Sequence, residues 1–224
     1  MHIVIKGDCD LKVKALTGNA KLAEFIEDQH GAELLAVGYA DGEVIKYVKE
    51  LRGETNILKD LSEISVKCDL PLIYAADTDN YGVLKRSAAI LENGKLLGIS
   101  DMTVAYSDSP LAIGANGKLY DLKCGKVAVA IGDDLLSYEL MRAFAVCGAE
   151  AVIAFQKNKL SEVSGILLRS YAYLTGLPFL LIAKNGMLCA SPQGKLSLPD
   201  ENGLYDLTPL TGYALKIVKV RSER

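Results

Sequence analysis

The length, composition and charge of the chain narrow its possible functions before any motif is considered. Its 224 residues are enough for a domain with a substantial core, and half of them are hydrophobic. The formal net charge is −3 and the basic residues are mixed with acidic ones, which argues against nucleic acid as a partner. Its apolar stretches are too short or too interrupted for a signal peptide or a membrane span, so we expect no membrane association.

The cysteines and histidines predict a reducing environment and no bound cofactor. The five cysteines are an odd number scattered along the chain, which favours a cytoplasmic location with buried thiols. No C-x-x-C pair occurs, and His2 and His30 are the only histidines, so a structural metal site is not expected. The glycine motifs that hold dinucleotides or nucleoside triphosphates are also absent.

Short buried strands and amphipathic helices alternate over the first third of the chain. Strand, helix, strand repeats predict a largely parallel sheet with helices on its face. In chain order we predict a strand at 2–6, a helix at 19–29, a strand at 33–37, helices at 43–51 and 57–66, and a strand at 71–75.

The middle of the chain has antiparallel character, and the last third alternates again. Asn93-Gly94 is a strong signal for a tight hairpin between strands at 84–91 and 95–100. Asn116-Gly117 marks a further turn. The later predicted elements are strands at 118–122 and 127–131, a helix at 135–147, a strand at 151–155, a helix at 160–175, a strand at 178–183, and a hairpin of 187–190 with 195–198.

These elements predict one α/β domain that spans residues 1–224 and contains two sheets. No segment of linker composition divides the chain. Some twelve strands rarely fit a single open, twisted sheet, so we expect two. The helix at 135–147 is apolar nearly all round, which predicts that it faces a sheet on one side and another subunit on the other. We therefore expect a homodimer or larger homo-oligomer, with the helix at 160–175 beside the contact.

The segment 126–155 carries the clearest functional signal. It reads as a buried strand, a tight turn of Gly132, Asp133 and Asp134, a helix and a second buried strand. A strand that ends in a sharp turn opening a helix is a common way to present a catalytic nucleophile. Here the apex is glycine, which has no side chain that could attack a substrate.

The order of these pieces resembles the carbon-nitrogen hydrolase family, also called the nitrilase superfamily, over nearly the whole chain. Ile131, Asp134, Glu139 and Arg142 match in register the family pattern G-x-x-I-C-Y-D-x-x-F-P-E-x-x-R. The other similar segments are GAELLAVGY, YAADTDNYGVLKRSAAILENGKLLG, RSYAYLTGLPFLLIAKNG and CASPQGK. The resemblance implies a four-layer α-β-β-α sandwich that assembles through helix faces.

The resemblance also implies that the family's chemistry is missing from this chain. Family members cleave amides or nitriles with a cysteine nucleophile, a glutamate base and a lysine that stabilises the oxyanion. The glutamate position falls on Tyr39, the lysine position on Met102 and the cysteine position on Gly132. Without a thiol, its base and its cation, the covalent route has none of its usual groups.

A shift in the alignment offers few replacements for these residues. Glu43 lies four residues after Tyr39, but no basic residue occurs between Lys95 and Lys118. Cys124 precedes the strand and so would sit at its wrong end. Cys147 lies near the end of a helix, where we expect it to pack as a small hydrophobe.

Two interpretations follow for the pocket. In the first, the protein is a non-catalytic binding or assembly protein, and Tyr39, Met102, Gly132 and Asp133 line a vestigial pocket. That pocket is either filled or takes a different small-molecule ligand. Tyr39 and Met102 would make it more apolar than the family's.

In the second interpretation, the protein is a hydrolase that acts on a carbon-nitrogen bond of a small amide by non-cysteine chemistry. Asp133, Asp134 or Glu139 would then be the acid or base. We favour structural roles near the pocket for Asp134, Glu139 and Arg142, since the resemblance places these residue types in family members generally. Two acids at a helix start also suit its cap and dipole.

Overall fold

A computed structural model of the chain describes residues 11–18 and 31–210. In this part of the chain two β-sheets pack face to face, and helices cover the outer face of each sheet. This confirms the predicted α-β-β-α sandwich. The strand predicted at 2–6 and the helix predicted at 19–29 lie outside the described residues.

Thirteen strands form the two sheets within the described residues. Most of them agree with the predicted strands to within a few residues. They are β1 (Lys12–Leu16), β2 (Leu34–Val37), β3 (Val44–Lys46), β4 (Leu72–Asn80), β5 (Val83–Glu92), β6 (Lys95–Asp101), β7 (Lys118–Leu122), β8 (Gly125–Ile131), β9 (Ala151–Gln156), β10 (Phe179–Ala183), β11 (Gly186–Ala190), β12 (Leu196–Ser197) and β13 (Leu204–Asp206).

Both sheets have a parallel centre and antiparallel edges. The order in the first sheet is β13-β1-β2-β4-β5-β6, with β3 also paired to β4. Strands β1, β2 and β4 run parallel, and β4, β5 and β6 form antiparallel hairpins. The second sheet has the order β12-β11-β10-β9-β8-β7, with β8, β9 and β10 parallel. The parallel strands of each sheet therefore end on a common edge.

The helices divide between the two outer layers. The first two, α1 (Tyr47–Leu51) and α2 (Ile57–Cys68), pack on the first sheet. The others, α3 (Tyr138–Val146) and α4 (Glu162–Thr175), pack on the second sheet. Among the described residues, no helix combines the length and the apolar character needed to cross a membrane.

Side chains that alternate between the two faces of each strand produce the layers. In β8, Val127, Val129 and Ile131 point into the core between the sheets, whereas Ala128 and Ala130 point toward α3 and α4. Successive side chains of a strand face opposite sides of the sheet, so a strand apolar at every position needs cover on both faces. The small alanines on the outer face allow the helices to lie close to the sheet.

Two predicted helices differ from the structure. Residues Val44–Lys46 of the helix predicted at 43–51 form β3, which pairs in parallel with β4, so that only α1 is helical. The β-branched Val44 and Ile45 suit a strand, and pairing with β4 buries Ile45.

The helix predicted at 135–147 begins later than expected, at Tyr138. A 3-10 turn spans Gly132–Leu136, and Ser137 then caps α3 by accepting a hydrogen bond from Leu140 N–H at 3.2 Å.

Candidate functional site

The turn that the sequence analysis singled out lies at the carboxyl end of β8. Gly132 follows Ile131 directly, is buried, and has a φ of +57°, in the left-handed region that favours glycine. A Cβ atom at this position would lie 2.8 Å from Sδ of Met102 and 3.4 Å from Cδ of Arg86. A side chain at Gly132 would therefore have to displace packed neighbours.

Met102 occupies this space because the strand before it fixes its backbone. It comes directly after β6, its N–H donates to the carbonyl of Arg86 at 2.8 Å, and its own carbonyl accepts from Gly114 N–H at 2.8 Å. The side chain is 1% exposed and belongs to the core between the sheets. Met102 thus brings an uncharged thioether to the turn.

Tyr39 lies two residues after β2 ends and is buried in the same core as Met102. Its hydroxyl donates a hydrogen bond to the carbonyl of Ser87 at 3.2 Å. Burial raises the pKa of the Tyr39 phenol well above its usual value; the positive charge of Arg86 opposes this, and the negative charges of Asp77 and Asp134 add to it. The phenol is therefore protonated at neutral pH and is unsuited to act as a general base.

Asp134 uses both carboxylate oxygens to hold the backbone around the turn. One carboxylate oxygen accepts hydrogen bonds from Thr103 N–H, Thr103 hydroxyl and Val104 N–H at 2.7–2.9 Å, and the other accepts from Ile131 N–H at 2.9 Å. Burial raises the pKa of the Asp134 carboxyl, and the hydrogen bonds it accepts oppose that rise. The carboxylate thus ties the 3-10 turn to the loop after β6.

The other predicted acids do not converge with Asp134. Glu139 is exposed on α3, and its carboxylate accepts from the hydroxyl of Ser137 at 3.4 Å. It lies near Tyr171 of α4, in the helix layer outside the second sheet, and the half-exposed Arg142 is on the same helix. Asp133 is partly exposed beside Gly132. The structure therefore places Met102 and Arg86 against Gly132, with Tyr39 near the same arginine, and leaves Glu139 outside this group.

Glu43, the alternative base, lies on the opposite face of the first sheet. Both of its carboxylate oxygens accept from the Tyr74 hydroxyl, at 3.0 and 2.9 Å, and Tyr74 packs in the core beneath α1 and α2.

Neither alternative cysteine approaches Gly132. Cys124 is buried in the turn that begins β8, at the other end of that strand. The expectation that Cys147 packs as a small hydrophobe is wrong, because α3 ends at Val146 and Cys147 is exposed.

Three charged side chains that the sequence analysis did not select meet beside Gly132. We call Asp77 of β4, Arg86 of β5 and Lys157, which follows β9, the charged triad. Lys157 Nζ lies 2.6 Å from Asp77 Oδ2, and Arg86 Nε lies 3.7 Å from Asp77 Oδ1. Arg86 Nη1 lies 3.7 Å from the position of a Cβ at Gly132, and Lys157 Nζ lies 6.0 Å from the centre of the Tyr39 ring. The triad joins the two sheets at the site.

The sequence contains a signal for this triad. Ile73 and Ala75 of β4 face the core between the sheets, so the next position on that face is Asp77. In the same way, Phe155 of β9 is followed on its face by Lys157. A charge that continues an inward, apolar face at the end of a strand is unusual and points to a buried polar site.

The comparisons with known proteins agree with this architecture. No protein-family model matches the sequence, and no curated protein does. Solved structures do match. A cysteine-to-alanine mutant of the Nesterenkonia AN1 amidase, from the nitrilase superfamily, has a TM-score of 0.69 and 16% identity, over 95% of this chain and 91% of that one. Saccharomyces cerevisiae Nit3, a member of branch 10 of that superfamily, has a TM-score of 0.69 and 16% identity, over 91% and 92%.

A third structure is a glutamate-to-leucine mutant of the Nesterenkonia amidase. It has a TM-score of 0.70 and 16% identity, over 94% of both chains. That protein carries the acetamide moiety of fluoroacetamide covalently added at its active-site cysteine. The chain has the fold of the nitrilase superfamily. At this level of identity the likeness establishes the fold alone, since one fold supports many functions.

Proposed function

We propose that this protein is a carbon-nitrogen hydrolase-like protein that no longer cleaves amides or nitriles through a thiol, and that it acts as a binding or assembly protein. The observation that carries this proposal is the closed position at Gly132. A side chain there would need both the left-handed backbone and the space that Sδ of Met102 fills. Fold and reaction are separable, so the sandwich can persist without the chemistry.

The neighbouring side chains support the same conclusion. Tyr39 stands at the base position with a neutral phenol, and Met102 stands at the lysine position without charge. An oxyanion donor alone contributes roughly 2.7–4 kcal/mol to lowering the barrier of acyl transfer, and the covalent route needs the nucleophile as well. The loss of all three groups removes each part of that route.

The direct test is ammonia release from a panel of small amides and nitriles at neutral pH, with and without iodoacetamide. We expect release at the background level and no effect of the reagent on any residual activity. Since Cys147 is exposed, a Cys147→Ser variant serves as a control for alkylation outside the site. Turnover that iodoacetamide abolishes in this variant would overturn the proposal.

A variant with the nucleophile restored tests the other two roles. Gly132→Cys alone should stay inactive, because Met102 and Tyr39 leave the new thiol without its cation and its base. The same ammonia assay reads out the result, and mass spectrometry with iodoacetamide shows whether the new thiol is accessible. An active single variant would show that other residues of the pocket already supply the missing roles.

A second candidate function is hydrolysis of a carbon-nitrogen bond of a small amide by non-cysteine chemistry. It is favoured by Asp77, whose Oδ1 has no hydrogen-bond partner among the described residues and can accept one from water. Such a group could act as a general base toward water. Ammonia release that persists after iodoacetamide and disappears in Asp77→Asn would establish this function. Loss in Asp133→Asn instead would assign the role to the turn.

A further inference from the structure

The charged triad holds more positive than negative charge. Arg86 and Lys157 are cations, and Asp77 is the one carboxylate that pairs with both of them. The pairing with Arg86 is long, at 3.7 Å, and within the described residues neither Arg86 Nε nor Asp77 Oδ1 has a hydrogen-bond partner. A buried donor without an acceptor is costly, so a further acceptor at Arg86 Nε would stabilise the triad.

Other nearby charges do not supply this partner. The Asp134 carboxylate accepts four hydrogen bonds from the loop after β6 and from Ile131. Asp101 pairs with Lys85 at 2.7 Å. The side chains at positions 85 and 87 alternate with Arg86 along β5 and so point to the opposite face of the sheet. Arg86 therefore has one long ion pair and no closer carboxylate among these groups.

The two cations are also within reach of solvent. The side chain of Arg86 is 21% exposed and that of Lys157 is 32% exposed, compared with 14% for Asp77. They lie at the edge where the parallel strands end, since β8 leads into Gly132 and β9 leads into Lys157. Crevices at the carboxyl ends of parallel strands are the usual ligand sites of α/β sheets.

We propose that the site binds a small molecule through a single carboxylate, which lies against the Arg86 guanidinium and the Lys157 ammonium group. The planar fork of arginine matches a carboxylate in a bidentate arrangement, and lysine adds a second charged donor. One carboxylate balances the excess positive charge of the triad itself, and the negative charge of Asp134 nearby disfavours a more highly charged anion. A phosphate dianion would overcompensate it beside Asp77. This proposal rests on the proposed function, because the ligand lies beside Gly132, where no reactive side chain stands.

Two matched pairs of probes test the charge requirement on the unmodified protein. Acetate and propionate are titrated against acetamide and propionamide, their neutral analogues of similar shape, at pH 7 and constant ionic strength. Ligand-observed NMR gives the dissociation constants. We expect saturable binding of both carboxylates, and binding of the amides that is weaker by about tenfold or more, as is typical when a charged hydrogen-bond partner is lost. Inorganic phosphate should bind more weakly than either carboxylate.

Variants of the triad locate the binding site. Arg86→Gln and Lys157→Gln should each weaken carboxylate binding by about tenfold or more. Arg169→Gln and Lys123→Gln are matched controls. Arg169 donates to the carbonyl of Gly194 in the outer layer, and the exposed Lys123 pairs with Asp69 at the end of β8 opposite Gly132. They should leave the affinity unchanged. If Arg86→Gln does not fold, Arg86→Lys keeps the charge, and its loss of the fork should still weaken binding.

Three results would overturn the inference: no saturable binding of acetate or propionate, equal affinity for the amides, or unchanged affinity in Arg86→Gln. Tighter binding of phosphate would overturn it as well, by assigning the site to a different anion. If no anion binds, the triad serves only to join the two sheets. Ammonia release from acetamide and propionamide is recorded in the same samples. A failure of the proposed function therefore appears as turnover, and a failure of this inference appears as absent or unselective binding.

Discussion

Gly132 combines two constraints that act on a single residue. Its φ of +57° is a conformation that costs an L-residue roughly 1–2 kcal/mol, and its missing Cβ leaves room for Sδ of Met102. Met102 in turn packs in the core between the sheets, so it has little freedom to retreat. The two residues therefore depend on each other, and a side chain cannot be introduced at position 132 by one substitution without strain.

We predict that Gly132→Ala destabilises the protein more than the same substitution at a glycine that also has a positive φ but has no atoms near its Cβ position. Gly148 is the matched control, since its φ is +83° and a Cβ there meets nothing within 4 Å. Gly148→Ala should lower the free energy of unfolding by roughly 1–2 kcal/mol. Gly132→Ala should lose about 1–3 kcal/mol more, because the Cβ overpacks against Met102. Urea denaturation measures both values, and equal losses would show that Met102 yields without cost.

The cysteines give a second residue-level prediction, in which pH is the variable. Burial raises the pKa of the Cys189 thiol to about 11, with a smaller contribution from Asp206 and an opposing one from Ser197. Only the thiolate reacts with iodoacetamide. At pH 8 the native protein should therefore be alkylated at the exposed Cys147 and spared at Cys189, whose reaction should accelerate as the pH approaches 11.

Peptide mass spectrometry with and without denaturant checks this order of reactivity. In denaturant, where burial is lost, both cysteines should react at similar rates. Alkylation of Cys189 in the native protein at pH 8 as fast as that of Cys147 would contradict the buried position of β11.

At the scale of elements, the sequence predicted the turns and strands whose conformation is set by residues close to them in the chain. Asn93 and Gly94 have positive φ values of +50° and +73°, which is what their pairing in a tight turn predicts. Strands β5 and β6 extend from them as an antiparallel pair, with a shift of register between Ile90 and Leu91. The elements it missed depend on distant partners. Strand β3 is three residues long and becomes a strand only by pairing with β4. Strand β1 pairs with β13, which lies at the other end of the described chain.

The site likewise combines a turn that local sequence predicts with contacts between distant residues that it does not predict. The turn at Gly132 was found because strand, turn and helix follow one another in the sequence. Asp77 and Arg86 face each other across β4 and β5, but Lys157 reaches Asp77 from the other sheet, 80 residues away. Local periodicity can mark each of these charges as facing inward, but it cannot show that the three meet.

The hairpin turn between β5 and β6 offers a test of how elements contact each other. A Cβ at Gly94 would lie 2.7 Å from Cγ2 of Val66 on α2, whereas Gly53, with a similar φ of +69°, has nothing within 4 Å. We predict that Gly53→Ala costs roughly 1–2 kcal/mol, from the backbone alone. Gly94→Ala should cost more, because it also pushes against the helix.

The added cost should disappear in the Val66→Ala background, where the contact is removed. Thermal and urea unfolding of the two glycine variants, with and without Val66→Ala, form a double-mutant cycle that isolates this contact. If the losses of unfolding free energy in Gly94→Ala and Val66→Ala simply add in the double variant, the turn and α2 are independent.

At the scale of the whole molecule, the four-layer arrangement leaves an apolar face uncovered. On α4, Val163, Ile166 and Tyr173 lie on one outer face and are 58%, 63% and 67% exposed. Tyr138 at the start of α3 stacks on Tyr171 of α4, with ring centres 6.4 Å apart, so the two helices form one surface. These are the two helices that the sequence analysis placed at a subunit contact, and contiguous exposed apolar surface of this kind is typical of interfaces.

We therefore predict a homodimer or larger homo-oligomer that buries the outer face of α4, since a closed symmetric assembly covers the same patch on every subunit. Sedimentation velocity over a range of concentrations should show a species larger than the 24.1 kDa monomer. Ile166→Lys and Tyr173→Lys should each shift the protein toward monomer, because a lysine in the contact cannot be buried without a partner. Leu51→Lys, at a residue 85% exposed on α1, is the control and should leave assembly unchanged. A concentration-independent monomer, or disruption by the control to the same extent, would show that α4 is not the contact.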